Sequence, residues 1–168
     1  AHIGISAGYP NLITCDMGGT SFDVSLVANG ESALAAQTSV DFGLVIRTPM
    51  IEITTIGAGG GSIAWVDRGG ILQIGPESAG SDPGPVCYGL GNDRPTVTDA
   101  NLVLGYLNPD YFNGGAMGLD RAGAEAGIMR DVGDPLGLPL GEAAWGIHAV
   151  ANSNMERAMR IVSLERGR

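Results

Sequence analysis

The chain has 168 residues and a formal net charge of −9, with nine arginines and no lysine. Because no basic patch stands out, the sequence argues against nucleic acid and against an anionic membrane as general partners. Hydrophobic residues make up 44% of the chain, which excludes a disordered protein, and the 28 glycines follow no collagen period.

The N-terminal third predicts antiparallel β-structure. Residues 11–16, "NLITCD", are typical of a short strand, "MGGT" is typical of a turn, and "SFDVSLV" alternates polar and apolar residues. Together these segments predict a β-hairpin with glycines at its tip. "NGES", residues 29–32, is the next turn, and residues 38–57 predict one or two further strands with a break at Pro49.

Residues 57–95 differ in character, because glycine and proline interrupt the stretch throughout. Within it, "SIAWVDRGGILQIGP" predicts a small hairpin that turns at residues 68–70. The stretch that follows, "ESAGSDPGPVCYGLG", predicts a long irregular loop, and such loops are usually functional when they are ordered. We therefore treat residues 57–95 as a glycine- and proline-rich insertion.

The C-terminal half predicts helices. Residues 96–108, "TVTDANLVLGYLN", predict a helix with Thr98 as its N-cap, and residues 118–131 predict a weaker one. A last helix is expected from about Glu142 to Leu164, because one of its faces carries a regular stripe of mostly apolar residues. That stripe consists of Ala144, His148, Ala151, Met155, Ala158 and Val162. Strands and helices together predict an α/β fold.

The sequence predicts an environment for each of the two cysteines and two tryptophans. Cys15 lies in an apolar strand and is expected to be a buried, inert thiol, whereas Cys87 lies in the irregular loop and could be exposed. Trp65 and Trp145 are expected to anchor the core. Two cysteines without metal-type spacing favour a reduced, cytoplasmic protein, and no apolar run approaches the length of a membrane span.

The ends of the sequence look cut, because the chain lacks an initiating Met and its helical pattern continues almost to residue 168. We therefore expect residues 1–168 to be a single domain that is a fragment of a larger chain.

The segment "DMGGTSFD" carries the strongest chemical signal. Glycines at a hairpin tip expose consecutive N–H groups and remove the Cβ atoms that would block a phosphate. Hydroxyl groups on the same tip could donate further hydrogen bonds, and the flanking carboxylates could hold a hydrated Mg²⁺ or orient a water molecule. The candidate residues are Asp16, Gly18, Gly19, Thr20, Ser21 and Asp23. The alternative is a glycine turn without a ligand, since short glycine motifs are weak signals.

Two later loops could also carry chemistry. "GAGGGS" could form a backbone nest for an anion or a substrate carbonyl, through Gly59, Gly60, Gly61 and Ser62, or it could be a flexible connection. "GPESAGSDPGP" offers Glu77 and Asp82 as general acid or base groups, or it could be a structured surface loop. His148 lies on the apolar stripe of the last helix, so a hydrogen-bonded core histidine is the favoured interpretation.

The motif "DMGGTSFDVSLV" resembles the second phosphate motif of the actin, sugar-kinase and heat-shock-chaperone ATPase superfamily. Four segments together resemble the hydantoinase A / 5-oxoprolinase family more narrowly: "CDMGGTSFDV", "TIGAGGGSIAWVDRGGILQIGPESAGSDPGPVCYG", "PTVTDANLVLGYL" and "MERAMRIVSLERGR". That family includes N-methylhydantoinases, 5-oxoprolinase and subunits of acetone and acetophenone carboxylases. The resemblance implies a ribonuclease-H-like lobe of a two-lobed, actin-like ATPase.

The resemblance also implies an activity. It points to ATP hydrolysis coupled to the opening of a cyclic amide, with ATP and Mg²⁺ as cofactors and a hydantoinase B-type second subunit or domain as partner. It implies phosphate contacts from Asp16, Gly18, Gly19, Thr20 and Asp23, with Asp16 beside the Mg²⁺. The first phosphate motif and the adenine-side motif would lie outside these residues, so we expect the isolated fragment to be inactive.

Two alternatives remain open from the sequence. One is the ATP-binding subunit of a ketone carboxylase of the acetone or acetophenone type. The other is a non-enzymatic ATPase module of the chaperone or actin type, which has no need of an insertion such as residues 57–95. Phe22 stands where the family commonly has Thr, and Ser81 stands where it commonly has Ala, so the substrate is left open.

Overall fold

A computed structural model of the chain describes residues 1–35, 38–40, 44–46 and 48–164. The chain divides into two compact units. The first unit contains residues 1–16, 23–56 and 156–168, and the second contains residues 17–22 and 57–155. The expectation of a single domain over residues 1–168 stays a prediction.

The first unit is mainly antiparallel β-structure. After the short helix α1 (His2–Ser6), strands β1, β2 and β3 form a sheet in that order, and β8 pairs with β2. Two smaller sheets pair β4 with β7 and β5 with β6. The strands are β1 (Leu12–Met17), β2 (Phe22–Ala28), β3 (Glu31–Ser32), β4 (Leu34–Ala35), β5 (Thr38–Val40), β6 (Leu44–Ile46), β7 (Met50–Ile51) and β8 (Thr54–Ile56).

The sequence predicted the first hairpin correctly. Strand β2 follows β1 across the residues "GGTS", and its side chains alternate between buried and half-buried as far as Leu26. A two-residue turn at Asn29 and Gly30, with φ values of 54° and 82°, then leads into β3. Positive φ at both turn positions is what a type I′ hairpin requires, which explains the Asn-Gly pair.

Residues 38–57 contain more strands than the sequence predicted. Instead of one or two strands, the described residues form four short ones, β5 to β8, and Pro49 lies between β6 and β7. Residues 41–43 and 47 of this prediction lie outside the described residues. The Pro49 break itself was predicted, since proline removes a backbone donor from the ladder.

The second unit combines a hairpin with helices. Strand β9 pairs antiparallel with β10, and Leu72 lies opposite Val66. The turn is held by Asp67, whose carboxylate accepts hydrogen bonds from the N–H groups of Gly69 and Ile71 and from the Gln73 side chain. The bonds from Ile71 and Gln73 lower the pKa of Asp67. The predicted hairpin over this stretch is confirmed, with β9 spanning Ser62–Val66 and β10 spanning Leu72–Ser78.

The helices follow β10 in the chain. Short 3-10 turns lie at Val86–Tyr88 and Asn113–Gly115, and a π-helical turn at Met129–Gly133 follows α3 directly. None of the helices in the described ranges is long and apolar enough to cross a membrane. The helices are α2 (Val97–Val103), α3 (Arg121–Ile128), α4 (Asp134–Leu136) and α5 (Leu140–Leu164). Residues of α5 from Glu156 onward belong to the first unit.

The N-cap of helix α2 lies two residues before the predicted one, and the helix ends before the predicted residue 108. Its N-cap is Thr96 rather than Thr98, because the Thr96 hydroxyl accepts from the N–H of Asp99 while the Asp99 carboxylate accepts from the N–H of Thr96. This reciprocal pair is a capping box. The helix ends at Val103 because Gly105 has a φ of 82°, the left-handed conformation that glycine adopts after helices.

The hairpin and helices of the second unit share one hydrophobic core. It contains Ala64 and Ile74 from the strands, Leu102 from α2, Ile128 from α3 and Ile147 from α5. The apolar stripe predicted on α5 is confirmed for its small residues. Ala144, Ala151, Ala158 and Val162 are all buried.

Both tryptophans depart from their predicted place in the core. Trp65 is 39% exposed and Trp145 is 54% exposed. Trp65 follows the buried Ala64 along β9, so its side chain projects from the opposite face of the strand. Its indole N–H donates to the carbonyl of Gly75 across the hairpin.

The two cysteines exchange their predicted environments. Cys15 is exposed, because side chains alternate along β1 and only those of Leu12 and Thr14 are partly covered. Cys87 is fully buried in the core of the second unit. Burial and the nearby Asp99 carboxylate both raise the pKa of the Cys87 thiol.

A thiol reagent tests the burial of Cys87. At pH 8 the raised pKa keeps this thiol protonated and the core excludes the reagent, so iodoacetamide should leave Cys87 unmodified in the native full-length protein. Alkylation measured by peptide mass spectrometry should rise to completion once urea unfolds the protein. Rapid native modification of Cys87 would contradict its placement in the core.

Candidate functional site

Residues 17–22 comprise the turn between β1 and β2 with one strand residue on each side, and we call them the first glycine loop. Residues 17–20 are exposed. The N–H of Gly18 donates to the carbonyl of Ser21 at 2.9 Å, which closes the turn. Within the described part of the chain, the N–H groups of Gly19 and Thr20 have no hydrogen-bond partner. A Cβ atom placed on Gly19 would meet no heavy atom within 4 Å. The loop therefore presents free donors and open space, as an anion-binding turn requires.

A second segment, residues 57–62, supports this turn through its backbone, and we call it the second glycine loop. The N–H of Gly60 donates to the carbonyl of Gly18 at 3.0 Å, and the N–H of Gly61 donates to the carbonyl of Gly19 at 2.6 Å. A Cβ on Gly59 would lie 2.7 Å from the Gly18 and Gly19 carbonyl oxygens. Only glycine fits at that position, because any side chain would overlap the first loop.

The backbone donors of residues 59–62 in the second glycine loop are already used within the second unit. The N–H of Gly59 donates to the Ser62 hydroxyl at 2.8 Å, and the N–H of Ser62 donates to the carbonyl of Gly59 at 3.1 Å. With Gly60 and Gly61 bonded to the first loop, this geometry favours a supporting role over a direct anion nest. Direct ligand contact by Gly59, Gly60, Gly61 and Ser62 stays a prediction.

Hydrogen bonds from helix α2 hold the second glycine loop in place. The backbone N–H and the hydroxyl of Thr98 both donate to the carbonyl of Gly60, at 2.8 and 2.9 Å. The neighbouring Asp99 is fully buried and accepts from Thr96, from the N–H of Val86 and from the N–H of Cys87. Its negative charge is stabilised by these donors, which fix the first turn of the helix.

The first unit contains an acidic cavity of about 370 Å³. Two carboxylates, Asp16 and Asp23, line it, and the hydroxyl of Thr55 donates to Asp23 at 2.5 Å. Thr14 and Ser25 also line it, with their hydroxyl oxygens 2.7 Å apart. Carboxylate and hydroxyl oxygens are ligands that Mg²⁺ accepts. No group of three or more His, Cys, Asp or Glu residues suited to a metal occurs among the described residues, so a cation here would take its remaining ligands from water or phosphate.

The carboxylates predicted in the irregular loop are both exposed. Glu77 pairs with Arg94 on the surface, and Asp82 is exposed. Neither carboxylate lines the acidic cavity, and general acid or base roles for them stay predictions. The hydroxyl oxygen of Ser78 lies 3.5 Å from that of Thr20 in the first glycine loop.

His148 is a half-buried histidine with both ring nitrogens engaged. Its Nδ1 lies 2.9 Å from the side-chain oxygen of Asn101, and its Nε2 lies 2.8 Å from the side-chain nitrogen of Asn152. The ring also stacks on Trp145 and contacts Tyr106. The interpretation as a hydrogen-bonded structural histidine agrees with this geometry.

The sequence did not predict three residues that hold the glycine loops and the acidic cavity in place. They are Thr55, which bonds Asp23, Thr98, which bonds Gly60, and the buried Asp99. A signal existed for Asp99, because "TVTD" places a carboxylate three residues after a threonine, which is the spacing of a capping box. No comparable signal marks Thr55 or the contact of Thr98 with Gly60, since both connect residues more than 30 positions apart.

The chain resembles proteins of known activity over its whole length. The hydantoinase/oxoprolinase family model matches residues 1–168. The alpha subunit of caprolactamase from Pseudomonas jessenii is 49% identical over 161 residues, which cover 95% of this chain and 23% of that protein. The acetophenone carboxylase gamma subunit of Aromatoleum aromaticum is 45% identical, covering 95% of this chain and 22% of that protein.

The fold of the chain is also similar to that of a solved structure. The crystal structure of the ATP-dependent caprolactamase from Pseudomonas jessenii matches 99% of this chain and 24% of its own, with a TM-score of 0.87 and 47% identity. The mixed α/β fold with antiparallel sheets is therefore confirmed. The chain spans less than a quarter of the length of these relatives.

Proposed function

The chain belongs to the hydantoinase/oxoprolinase family, and from this membership we propose that its first glycine loop binds the phosphates of ATP in an enzyme that opens a cyclic amide. The observation that carries the proposal is the pair of N–H groups on the exposed residues Gly19 and Thr20, which have no hydrogen-bond partner within the described residues and lie on a turn held by Gly60 and Gly61. Relatives named as an ATP-dependent caprolactamase support both the nucleotide and the substrate class.

The residues present fit a nucleotide phosphate. Two backbone donors and the hydroxyl of Thr20 lie on one exposed turn, where charge-assisted hydrogen bonds to phosphate oxygens are strong. When bound, ATP would supply a phosphoryl group that makes the amide carbonyl carbon a better electrophile. The task of the first glycine loop is to orient the phosphates, because phosphoryl transfer depends mainly on positioning and charge stabilisation.

We assign Asp16, in the acidic cavity of the first unit, to the Mg²⁺ that accompanies ATP. Asp23 lines the same cavity and is held by the Thr55 hydroxyl, so it is suited to orient a water molecule of the hydrated ion. This assignment and the ribonuclease-H-like, actin-like lobe belong to the proposal.

A second subunit or domain of the hydantoinase B type also belongs to the proposal. It is supported by relatives that are themselves named as alpha and gamma subunits. We further propose that residues 1–168 act as one domain of the larger protein, with residues 57–95 as an insertion that supplies the second glycine loop.

Ketone carboxylation is the second candidate function, because an acetophenone carboxylase subunit is 45% identical to this chain. Substrate requirements separate the two reactions in the full-length protein. A cyclic amide hydrolase should release ADP with a lactam and no bicarbonate, whereas a carboxylase should need bicarbonate and a ketone. The relatives are named as enzymes, which weighs against a non-enzymatic ATPase of the chaperone or actin type.

Gly19→Ala tests the phosphate role of the first glycine loop. The new methyl group meets no protein atom within 4 Å, so the midpoint of thermal unfolding should stay within about 2 °C of wild type. If phosphate approaches this backbone, the Kd for ATP, measured by isothermal titration on the full-length protein, should rise at least about tenfold.

Gly141→Ala is the matched control for this test. Gly141 lies in α5, and a Cβ there also meets nothing within 4 Å, so ATP affinity should not change. A Gly19→Ala protein that binds ATP as wild type does would contradict the phosphate role.

A further inference from the structure

A continuous set of hydrogen bonds connects helix α2 to the first glycine loop. Thr98 donates twice to the carbonyl of Gly60, and the N–H of Gly60 donates to the carbonyl of Gly18. Gly60 is therefore held by the helix on one side and holds the loop on the other. The neighbouring bond from Gly61 to the Gly19 carbonyl runs beside it.

Several buried hydrogen bonds hold the helix end of this connection. Thr98 is the second residue of α2, between the buried cap residue Thr96 and the buried carboxylate of Asp99. Asp99 accepts from the N–H groups of Val86 and Cys87 as well as from Thr96, so the irregular loop and the helix share one buried anchor. A group fixed in this way can set the position of what it bonds.

The contacts along the connection leave little free space. A Cβ on Gly60 would lie 2.8 Å from the Thr98 hydroxyl, and a Cβ on Gly61 would lie 2.9 Å from the Gly19 carbonyl oxygen. Backbones this close cannot shift independently, because packed protein interiors leave few voids and transmit displacements. A change at Thr98 should therefore reach Gly18 and Gly19.

We propose that Thr98 is a positioning residue for nucleotide binding, whose hydroxyl, acting through Gly60, fixes the orientation of the first glycine loop. The inference rests on the proposed ATP role of that loop. Thr98 acts through Gly60 rather than by contact with the nucleotide. Its hydroxyl keeps the carbonyls of Gly18 and Gly19 turned toward the second glycine loop, so the N–H groups that follow them stay turned toward the phosphates.

The test compares Thr98→Val with Thr98→Ser in the full-length protein. Valine keeps the size and the backbone N–H bond to Gly60 but removes the hydroxyl donor, whereas serine keeps the donor and removes the methyl group. We expect Thr98→Val to raise the Kd for ATP about tenfold and to speed hydrogen exchange in peptides that span residues 17–22. Thr98→Ser should stay within about twofold of wild type in both measurements.

The outcomes separate this inference from the proposed function. Wild-type ATP affinity in Thr98→Val, together with weakened affinity in Gly19→Ala, would overturn the positioning role and leave the phosphate role intact. Unchanged affinity in Gly19→Ala would instead overturn the proposed function. Equal losses in Thr98→Ser and Thr98→Val would overturn the positioning role too, because the serine variant retains the hydroxyl on which it depends.

Discussion

Gly59→Ala is expected to cause the largest loss of local stability among single methyl additions to the two glycine loops. The new Cβ would lie 2.7 Å from the carbonyl oxygens of both Gly18 and Gly19, and these are backbone atoms that no rotamer change can move. Overpacking of this kind costs about 1–3 kcal/mol and sometimes more. We expect the upper part of that range, because both loops must separate.

Hydrogen exchange in the full-length protein measures this loss where it occurs. Peptides covering residues 17–22 and 57–62 should exchange about 30-fold faster or more, which corresponds to a loss of roughly 2 kcal/mol in the free energy of local opening. ATP affinity should fall as well, since the first glycine loop loses its support.

Gly19→Ala is the matched comparison for stability, because it adds the same methyl group where there is open space. It should weaken ATP binding without speeding exchange at residues 57–62. A Gly59→Ala protein with wild-type exchange and wild-type ATP affinity would show that the two glycine loops are not packed as described.

The sequence could not distinguish the glycines that contact another loop from a glycine that leaves room for a ligand. The glycines at 18, 19, 59, 60 and 61 look alike in the sequence, and all were expected to serve close approach of a ligand. In the structure, Gly59 and Gly61 are in close contact with the backbone of the first loop, whereas Gly19 faces open space. Spacing along the chain cannot distinguish approach by a ligand from approach by another loop, because both favour the absence of a Cβ.

Local patterns predicted the elements that depend on local forces. The β1–β2 hairpin, the β9–β10 hairpin and helix α5 follow from alternation, turn residues and helical spacing. The exposure of Trp65 and Trp145 did not follow, because which face of an element is covered depends on partners that are distant in sequence. The same limit explains the reversed environments of Cys15 and Cys87.

Only part of the candidate site could be predicted from the sequence. The hairpin tip and its flanking carboxylates could be identified from the residues "DMGGTSFD", since donors and carboxylates there follow directly from residue type. The roles of Thr98 and Thr55 could not, because each acts on a residue 38 or 32 positions away. Tertiary hydrogen bonds of this kind are set by the folded backbone rather than by any local pattern.

Asp16→Asn is expected to cause the largest loss of activity. The substitution keeps the shape of the side chain but removes the negative charge that we assign to Mg²⁺. ATP-dependent turnover of the full-length protein should fall at least about 100-fold, or roughly 2.7 kcal/mol of transition-state stabilisation, because the charge on the phosphates would be poorly neutralised. The dependence of the remaining rate on Mg²⁺ concentration should shift to higher concentrations.

The stability of the Asp16→Asn protein decides whether Asp16 binds Mg²⁺ or has a purely structural role. Asp16 is exposed at the end of β1, so its neutralisation leaves no buried group unpaired, and the circular dichroism spectrum and thermal midpoint should match wild type. Asp110→Asn, at an exposed aspartate in the loop after α2, is the matched control and should retain full turnover. If Asp16→Asn lost stability but kept most of its turnover, Asp16 would be a turn residue, and the assignment of the acidic cavity to Mg²⁺ would be wrong.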